Sequence, residues 1–392
     1  MKKYLDGCIE NVKVFSYSIP FKEFGGESGS RGLIGKNGGP KVREGLVIEL
    51  KDSKGIVGYG EIAPLEGFNS ETLLQVKEQV YELGKNLPGT SIKEFDETCT
   101  LFSRLLPGVE VFPSVKFGVE TAGLNILYRI FDEVMPEPEK PLFEKKIRVN
   151  GLLPSGLGVG ELRPVVDEIL KQGMKTIKVK VGRRDMDEDI ELIRELVEIL
   201  PQDVRLRLDA NGCLDYETAV KFGKALGEKV SGESFIERID YIEEPFAYKS
   251  NVQFTRFYEE TGIGVGLDES LLKVLGEKFR VPKGVCAFVI KPTILGGMCL
   301  VMNLFDVACL KRIPVVVSSC FECGPGFIEL CKMITLNNIA SIPAGLDTFR
   351  YLGGDLFLKP IVIENGCIDA DAFREPERLY DFGKMKLEFQ WP

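Results

Sequence analysis

The sequence predicts an α/β fold, a (β/α)8 TIM-type barrel preceded by a smaller α+β domain, and three observations carry that prediction. Short β-branched runs ending in charge recur: TIKVKVG with Lys178 and Lys180, RLRLDANG with Asp209, YIEEPF with Glu243, GLDES with Asp268 and VIKPT with Lys291. From Lys180 onward these charges stand roughly 23 to 34 residues apart, the length of one strand plus the returning helix that a parallel pair requires. The 392 residues also exceed the roughly 250 of a barrel by enough for a second domain. In such a barrel the loops after the strands converge on one face, so side chains at the strand ends share one mouth.

In chain order, Ile9 to Pro20 reads as a strand, and 45–58 as a hairpin turning at Asp52 to Gly55. Between them the Gly- and Ser-rich stretch 24–40, with Arg31, Lys36 and nearby Arg43, has little apolar surface to bury and reads as a mobile loop. Leu73, Leu74, Val76, Val80 and Leu83 recur at helical period, predicting a helix over 70–87 that starts at Ser70. A second helix is expected over 113–131, and the first domain over 1–135. The proline-rich run from Pro136 to Phe143 reads as a linker. Barrel strands are expected at 147–153, 176–181, 204–210, 241–245, 265–268, 287–292, 314–319 and 342–344, within a barrel of residues 144–352. Of the intervening helices, Met186 to Leu200 is the clearest: Ile190, Ile193, Leu196, Val197 and Leu200 form one apolar stripe, and acidic residues crowd its first turn, where the helix dipole favours them. Residues 353–392 hold a strand-like Ile361 to Glu364 and a turn at Asn365-Gly366, too little for a domain.

Composition excludes several functions. A net charge of −9 and a pI near 5.1 speak against a nucleic-acid surface, and no apolar run reaches the ~20 residues of a membrane span. The amino-terminal MKKYLDGCIE carries acids and no long apolar core, so a cytoplasmic protein without a secretory signal is expected. The ten cysteines are dispersed and read as buried free thiols; Cys320 and Cys323 form one Cys-x-x-Cys with no second pair to complete a zinc site. With no histidine in the chain, every mechanism needing an imidazole is excluded.

Three carboxylates, Asp209, Glu243 and Asp268, can hold a hard divalent cation through oxygen, and the flanking lysines can exchange protons with a molecule bound to it. Lys178 and Lys180 are two residues apart on one strand and face the same way, so their mutual repulsion lowers the proton affinity of at least one. The strand end at Ser318 and Ser319, followed by Gly324-Pro325-Gly326, offers hydroxyls and backbone N–H groups to a carboxylate or ketone.

The ordered series GYGEIAPLEGF, PSVKFGVETA, KVKVG, LRLDAN, EEP, TGI with DES, VIKPT, SSCFECGPG and GLDT spans most of the chain and resembles the enolase superfamily. The likeness falls in its lysine-based, muconate-lactonizing-type branch and, within that, in the o-succinylbenzoate synthase family. The resemblance implies a capping domain to which residues 353–392 return, and a lid at 24–40 closing over the mouth. It implies Mg2+, with Mn2+ as substitute, on Asp209, Asp268 and Glu243, the first of the adjacent pair Glu243 and Glu244. It also implies Lys180 as the base, Lys291 facing it, and Lys178 beside the substrate carboxylate. Asn211, Ser318, Ser319 and Gly324 are the further substrate contacts so implied, although Cys320, Cys323 and Gly324 stand where serine is more usual. The implied reaction is dehydration of a small dicarboxylate through an enediolate in menaquinone or phylloquinone synthesis. Racemisation of N-succinylamino acids, or a muconate-type cycloisomerisation, is the alternative. Neither nucleic acid nor membrane is expected as partner, and the oligomeric state stays open.

Overall fold

The computed structural model describes residues 7–22, 40–96, 98–134, 146–154, 157, 159–227, 229–230, 233–276, 280–373 and 379–392. The lid expected at 24–40 lies outside them except for Pro40, and so does the linker at 136–143.

The amino-terminal part is an antiparallel sheet of β1 (Ile9–Pro20), β2 (Val42–Asp52) and β3 (Val57–Ile62), covered by α1 (Leu73–Asn86), α2 (Thr98–Leu105) and α3 (Pro113–Val134). Helix α1 begins later than expected. Its cap is Thr72, whose hydroxyl accepts from the Gln75 N–H while the Gln75 side chain accepts from the Thr72 N–H, a reciprocal box that Ser70 does not make. Strand β3 lies directly on the backbone of α3: a Cβ at Gly60 would sit 1.8 Å from the Gly118 carbonyl oxygen, so the GYG of this strand is a packing requirement.

The second part holds a seven-stranded parallel sheet of β5 (Gly151–Leu153), β6 (Thr176–Lys180), β7 (Arg205–Asp209), β10 (Ile239–Glu243), β11 (Val265–Leu267), β12 (Val285–Ile290) and β13 (Val315–Val317), each beside the next. Between them run α4 (Val159–Lys171), α5 (Met186–Ile199), α6 (Tyr216–Gly227), α7 (Asn251–Thr261), α8 (Leu271–Leu275), α9 (Pro292–Leu295) and α10 (Met298–Lys311), and α11 (Pro325–Leu336) follows β13. Two-residue strands β8 (Lys229–Val230) and β9 (Glu233–Ser234) form a small pair before β10.

Three expectations are corrected here. The first barrel strand is broken: β4 (Lys146–Arg148) pairs antiparallel with β14 (Cys367–Asp369), and only β5 joins the barrel. The eighth element is no strand, because Pro343 has no N–H to give a ladder. The ring closes instead through single bridges, with Gly345 N donating to Val317 O and Asn150 N to Ala344 O, each at 2.9 Å. The strand-like Ile361 to Glu364 contributes only a bridge from Glu364 to Cys367, across a turn in which Asn365 and Gly366 take φ of 52° and 72°. The carboxyl-terminal strand β15 (Lys386–Trp391) pairs with β1 at the edge of the amino-terminal sheet.

The cysteines also differ from expectation. Cys320, Cys323 and Cys331 are buried free thiols, but Cys309 is exposed on the outer side of α10, Cys8, Cys213, Cys286 and Cys367 are half-buried, and Cys299 is disulfide-bonded.

Candidate active site

The charged residues are brought together by strand geometry. Lys180, Asp209 and Glu243 are the last residues of β6, β7 and β10, while Asp268 and Lys291 stand one residue past β11 and β12. Lys180 pairs in register with Asp209, and Asp209 with Glu243, so these side chains lie side by side at the carboxyl edge.

Ammonium and carboxylate alternate across the site. Lys178 Nζ lies 2.7 Å from both oxygens of Glu243 and 2.8 Å from Asp209 Oδ2. Lys180 Nζ donates to the same Asp209 oxygen and to Asn211 Oδ1, both at 2.6 Å. Lys291 is paired with Asp268 and lies over the Phe68 ring. All six charged groups, Lys178, Lys180, Asp209, Glu243, Asp268 and Lys291, are withdrawn from solvent; Asp209 is 0% exposed. Such burial is tolerable because three carboxylates face three ammonium groups.

The lysines are not equivalent. Burial pulls the Lys180 ammonium below its ordinary pKa, and Lys178 and Lys291 push the same way, so the attraction of Asp209 does not compensate. For Lys178 burial acts in the same sense but is outweighed by Asp209 and Glu243, which hold it above the ordinary lysine range. Lys291 is held up likewise, by Asp268, Glu269 and Glu243 against burial. Burial would raise Asp209, yet the three lysines hold it below the usual carboxylate range.

Among the described residues no three carboxylates or thiols converge as a ready-made cation cage. The cause is visible: ammonium groups stand between Asp209, Glu243 and Asp268. The donor set nevertheless suits a hard cation, being three buried carboxylates on consecutive strands whose charge is offset only by long, rotatable lysines.

Asn211, at φ 44°, turns its side chain back over the site and donates to Glu269 Oε1 at 2.9 Å while accepting from Lys180. Ser318 and Ser319 line a recess of about 530 Å3, counted to its open mouth, together with Lys178, Lys180, Lys291 and Phe68. A wider recess of about 1250 Å3 lies against it, with Asn211, Asp268 and Arg183 on its wall; Phe68 and Lys291 border both. The Ser319 hydroxyl is already engaged, donating to Glu322 Oε2 at 2.6 Å and accepting from Thr348 at 2.8 Å. Gly324 is not in the recess wall: its N–H is given to Glu61 Oε2 at 2.9 Å, so the expected backbone donor there points away from the mouth.

Sequence reasoning passed over several of these residues. Glu244, beside Glu243, sits at φ 43° and its Oε1 accepts from the Asp268 N–H, the Ser270 N–H and the Ser270 hydroxyl at 2.7 to 2.9 Å, tying the end of β10 to the loop that bears Asp268. Asp347 borders the first recess, accepts from the Leu152 N–H and pairs with Arg350. Phe68 follows the Glu66-Gly67 turn of the LEGF motif, an apolar residue after a turn signal, which was the available clue.

Known proteins match both parts of the chain. Residues 161–375 match the family described as enolase C-terminal domain-like, and residues 9–126 match the MenC amino-terminal domain. The muconate lactonizing enzyme of Pseudomonas fluorescens, solved with muconolactone, superposes with a TM-score of 0.74 at 17% identity over 93% of this chain and 94% of its own. A dipeptide epimerase from Enterococcus faecalis, solved with Mg and the dipeptide L-Leu-L-Tyr, gives a TM-score of 0.74 at 19% identity over 92% and 97%. The chain therefore belongs to the enolase superfamily, with a TIM-type barrel and its companion α+β domain. The o-succinylbenzoate synthase of Pectobacterium atrosepticum is 30% identical over 343 residues, 87% of this chain and 90% of that enzyme. Within the superfamily the chain is a member of the o-succinylbenzoate synthase family, enzymes of the lyase class.

Proposed function

We propose that the chain is an o-succinylbenzoate synthase of menaquinone or phylloquinone synthesis. It removes water from 2-succinyl-6-hydroxy-2,4-cyclohexadiene-1-carboxylate to leave 2-succinylbenzoate. The observation that carries the proposal is the interleaving of three buried carboxylates with three lysines at one barrel mouth. The likeness to a synthase along nine-tenths of that enzyme's length supports it.

Asp209, Glu243 and Asp268 are the residues that would hold Mg2+ or Mn2+, and such a cation would supply fixed positive charge against the carboxylate of the substrate. Lys180, the lysine with lowered proton affinity, takes the proton α to that carboxylate. The electron pair left by that C–H bond, held as the enediolate, forms the new ring double bond and completes the aromatic ring as the C–O bond at position 6 breaks; the C–O pair leaves with the hydroxide, to which Lys180 returns its proton to make water. Lys291, locked as a cation by Asp268, holds the charge that develops, and Lys178 orients the carboxylate. Asn211 keeps Lys180 aimed, and Ser318 with Ser319 borders the space for the succinyl arm.

The test is turnover of the cyclohexadiene acid after exhaustive chelation and after return of Mg2+ or Mn2+. Activity should vanish and come back; full activity in metal-free buffer refutes the metal assignment. Direct Mn2+ titration should show weaker binding in Asp268→Asn and Glu243→Gln variants that remain folded.

A further inference from the structure

The wall of the first recess is held from the other sheet. Glu61, on β3, is 1% exposed, and its carboxylate accepts five hydrogen bonds: from Tyr17 Oη at 2.6 Å, from the N–H groups of Cys323, Gly324 and Gly326 at 3.1, 2.9 and 3.0 Å, and from the Cys323 thiol at 3.7 Å. Those three N–H groups belong to the start of α11, where no intrahelical acceptor exists. Arg43, on β2 and equally buried, donates Nε to the Phe321 carbonyl at 3.0 Å, and its other nitrogens to the carbonyls of Pro64, Ala63 and Glu44. Phe321 lies between the two grips at φ 62°, a left-handed conformation that costs a bulky residue energy and persists only when its surroundings enforce it. Phe321, where the gripped segment begins, is the last of the four consecutive residues, Ser318 to Phe321, that form one side of the recess.

We infer that Glu61 and Arg43 are positioning residues: together they clamp Phe321 to Gly326 from the amino-terminal sheet and so set the wall of the substrate recess. The inference rests on the proposed location of the substrate. It makes the amino-terminal sheet part of the specificity apparatus through its described strands, independently of any lid. It also assigns a reason to the GYGE motif: its glycines bring β3 onto α3, and its glutamate then reaches the barrel.

Two variants test it. Glu61→Gln keeps the shape but turns an amide NH2 toward backbone donors, leaving at least one of them unsatisfied. Gly326→Ala pushes from the barrel side, since its Cβ would lie 3.0 Å from Glu61 Oε2 and 3.1 Å from Glu61 Cβ, while alanine favours the helix it joins. In both, hydrogen exchange of the peptide spanning 318–326 should speed up. The KM for the cyclohexadiene acid and the Kd for 2-succinylbenzoate should rise about tenfold, the lower end of what one orphaned buried donor costs. Because the clamp touches neither the lysines nor the acids, kcat should change less than about threefold and Mn2+ affinity should hold, with the 1.4 kcal/mol of a tenfold change confined to binding. Unchanged exchange and KM in folded Glu61→Gln overturn the inference, and so does a fall in kcat that matches the rise in KM. Should Glu61→Gln not fold, Gly326→Ala decides by the same readings. If the wild-type chain does not turn over the acid, the proposed function fails while the exchange measurement still decides the clamp.

Discussion

Asp347→Asn should remove a pH dependence of stability whose sign and size follow from the site. Asp347 is 1% exposed and accepts from the Leu152 N–H at 3.0 Å; Arg350 pairs with both of its oxygens. Burial nevertheless dominates and pushes the carboxyl up to about 7 against the pull of Arg350. In the unfolded chain the group has its ordinary value near 3.8. Between those two values the folded state therefore binds more protons than the unfolded state, so stability falls as pH rises through that window and levels off above it. About three pH units at 1.36 kcal/mol each give a ceiling of about 4 kcal/mol. Asparagine keeps an oxygen for Leu152 and cannot titrate. Urea unfolding of both proteins from pH 4 to pH 8 yields the difference in stability at each pH, from which all other groups cancel. That difference, wild type minus variant, should decline by up to about 4 kcal/mol. A flat or rising difference refutes the argument and means that Arg350 keeps Asp347 ionised throughout.

Three further outcomes follow from the same geometry. Lys180→Ala should abolish exchange of the substrate α-proton with solvent deuterium; exchange at the wild-type rate removes Lys180 as base. Lys291→Ala leaves that base in place and should lower kcat by about 10²–10³, the effect of losing one donor to developing charge; a loss below tenfold counts against its role. Glu244→Gln should flatten the pH dependence of urea unfolding between about pH 5 and pH 8, because burial pushes this carboxyl up to about 7 against its three hydrogen bonds, and should weaken Mn2+ binding through the Asp268 loop; an unchanged pH profile and Mn2+ affinity would show that the contacts are incidental.

The parts of the site that were legible are those written in strand periodicity. Lys178 and Lys180 share one face because side chains alternate, and charge at the end of a β-branched run marks the carboxyl edge wherever the next helix returns the chain. What sequence could not show depends on partners far away or on backbone conformation. Glu61 meets Gly324 across 263 positions, and nothing local distinguishes it from a surface glutamate on a half-buried strand. Glu244 reads as the outward neighbour of Glu243 until its left-handed φ swings it onto the Ser270 turn. The missing eighth strand and the broken first one meet at the same place, where Val149 bridges Ala344 beside Pro343, which has no N–H for a ladder. The start of α1 could have been read more closely: Thr72 and Gln75 have the spacing of a capping box, which Ser70 lacks.

The choice between dehydration and racemisation turns on the inequality of the two facing lysines. A racemase needs each lysine to serve one face of the α-carbon, so both must pass through the neutral form. A syn elimination needs one proton carrier and one fixed cation. Here Lys180 has lowered proton affinity and shares its acid, Asp209, with Lys178, whereas Lys291 has Asp268 to itself and is held charged. To neutralise Lys291 would take its proton away from three neighbouring acids, Asp268, Glu269 and Glu243, all of which favour the charged form. Dehydration should therefore be the main activity. Assayed side by side, kcat/KM for the cyclohexadiene acid should exceed that for any N-succinylamino acid by at least ~10², or about 2.7 kcal/mol in transition-state binding. Equal or reversed values would mean that Lys291 gives up its proton despite Asp268, and would move the chain to the racemase reading.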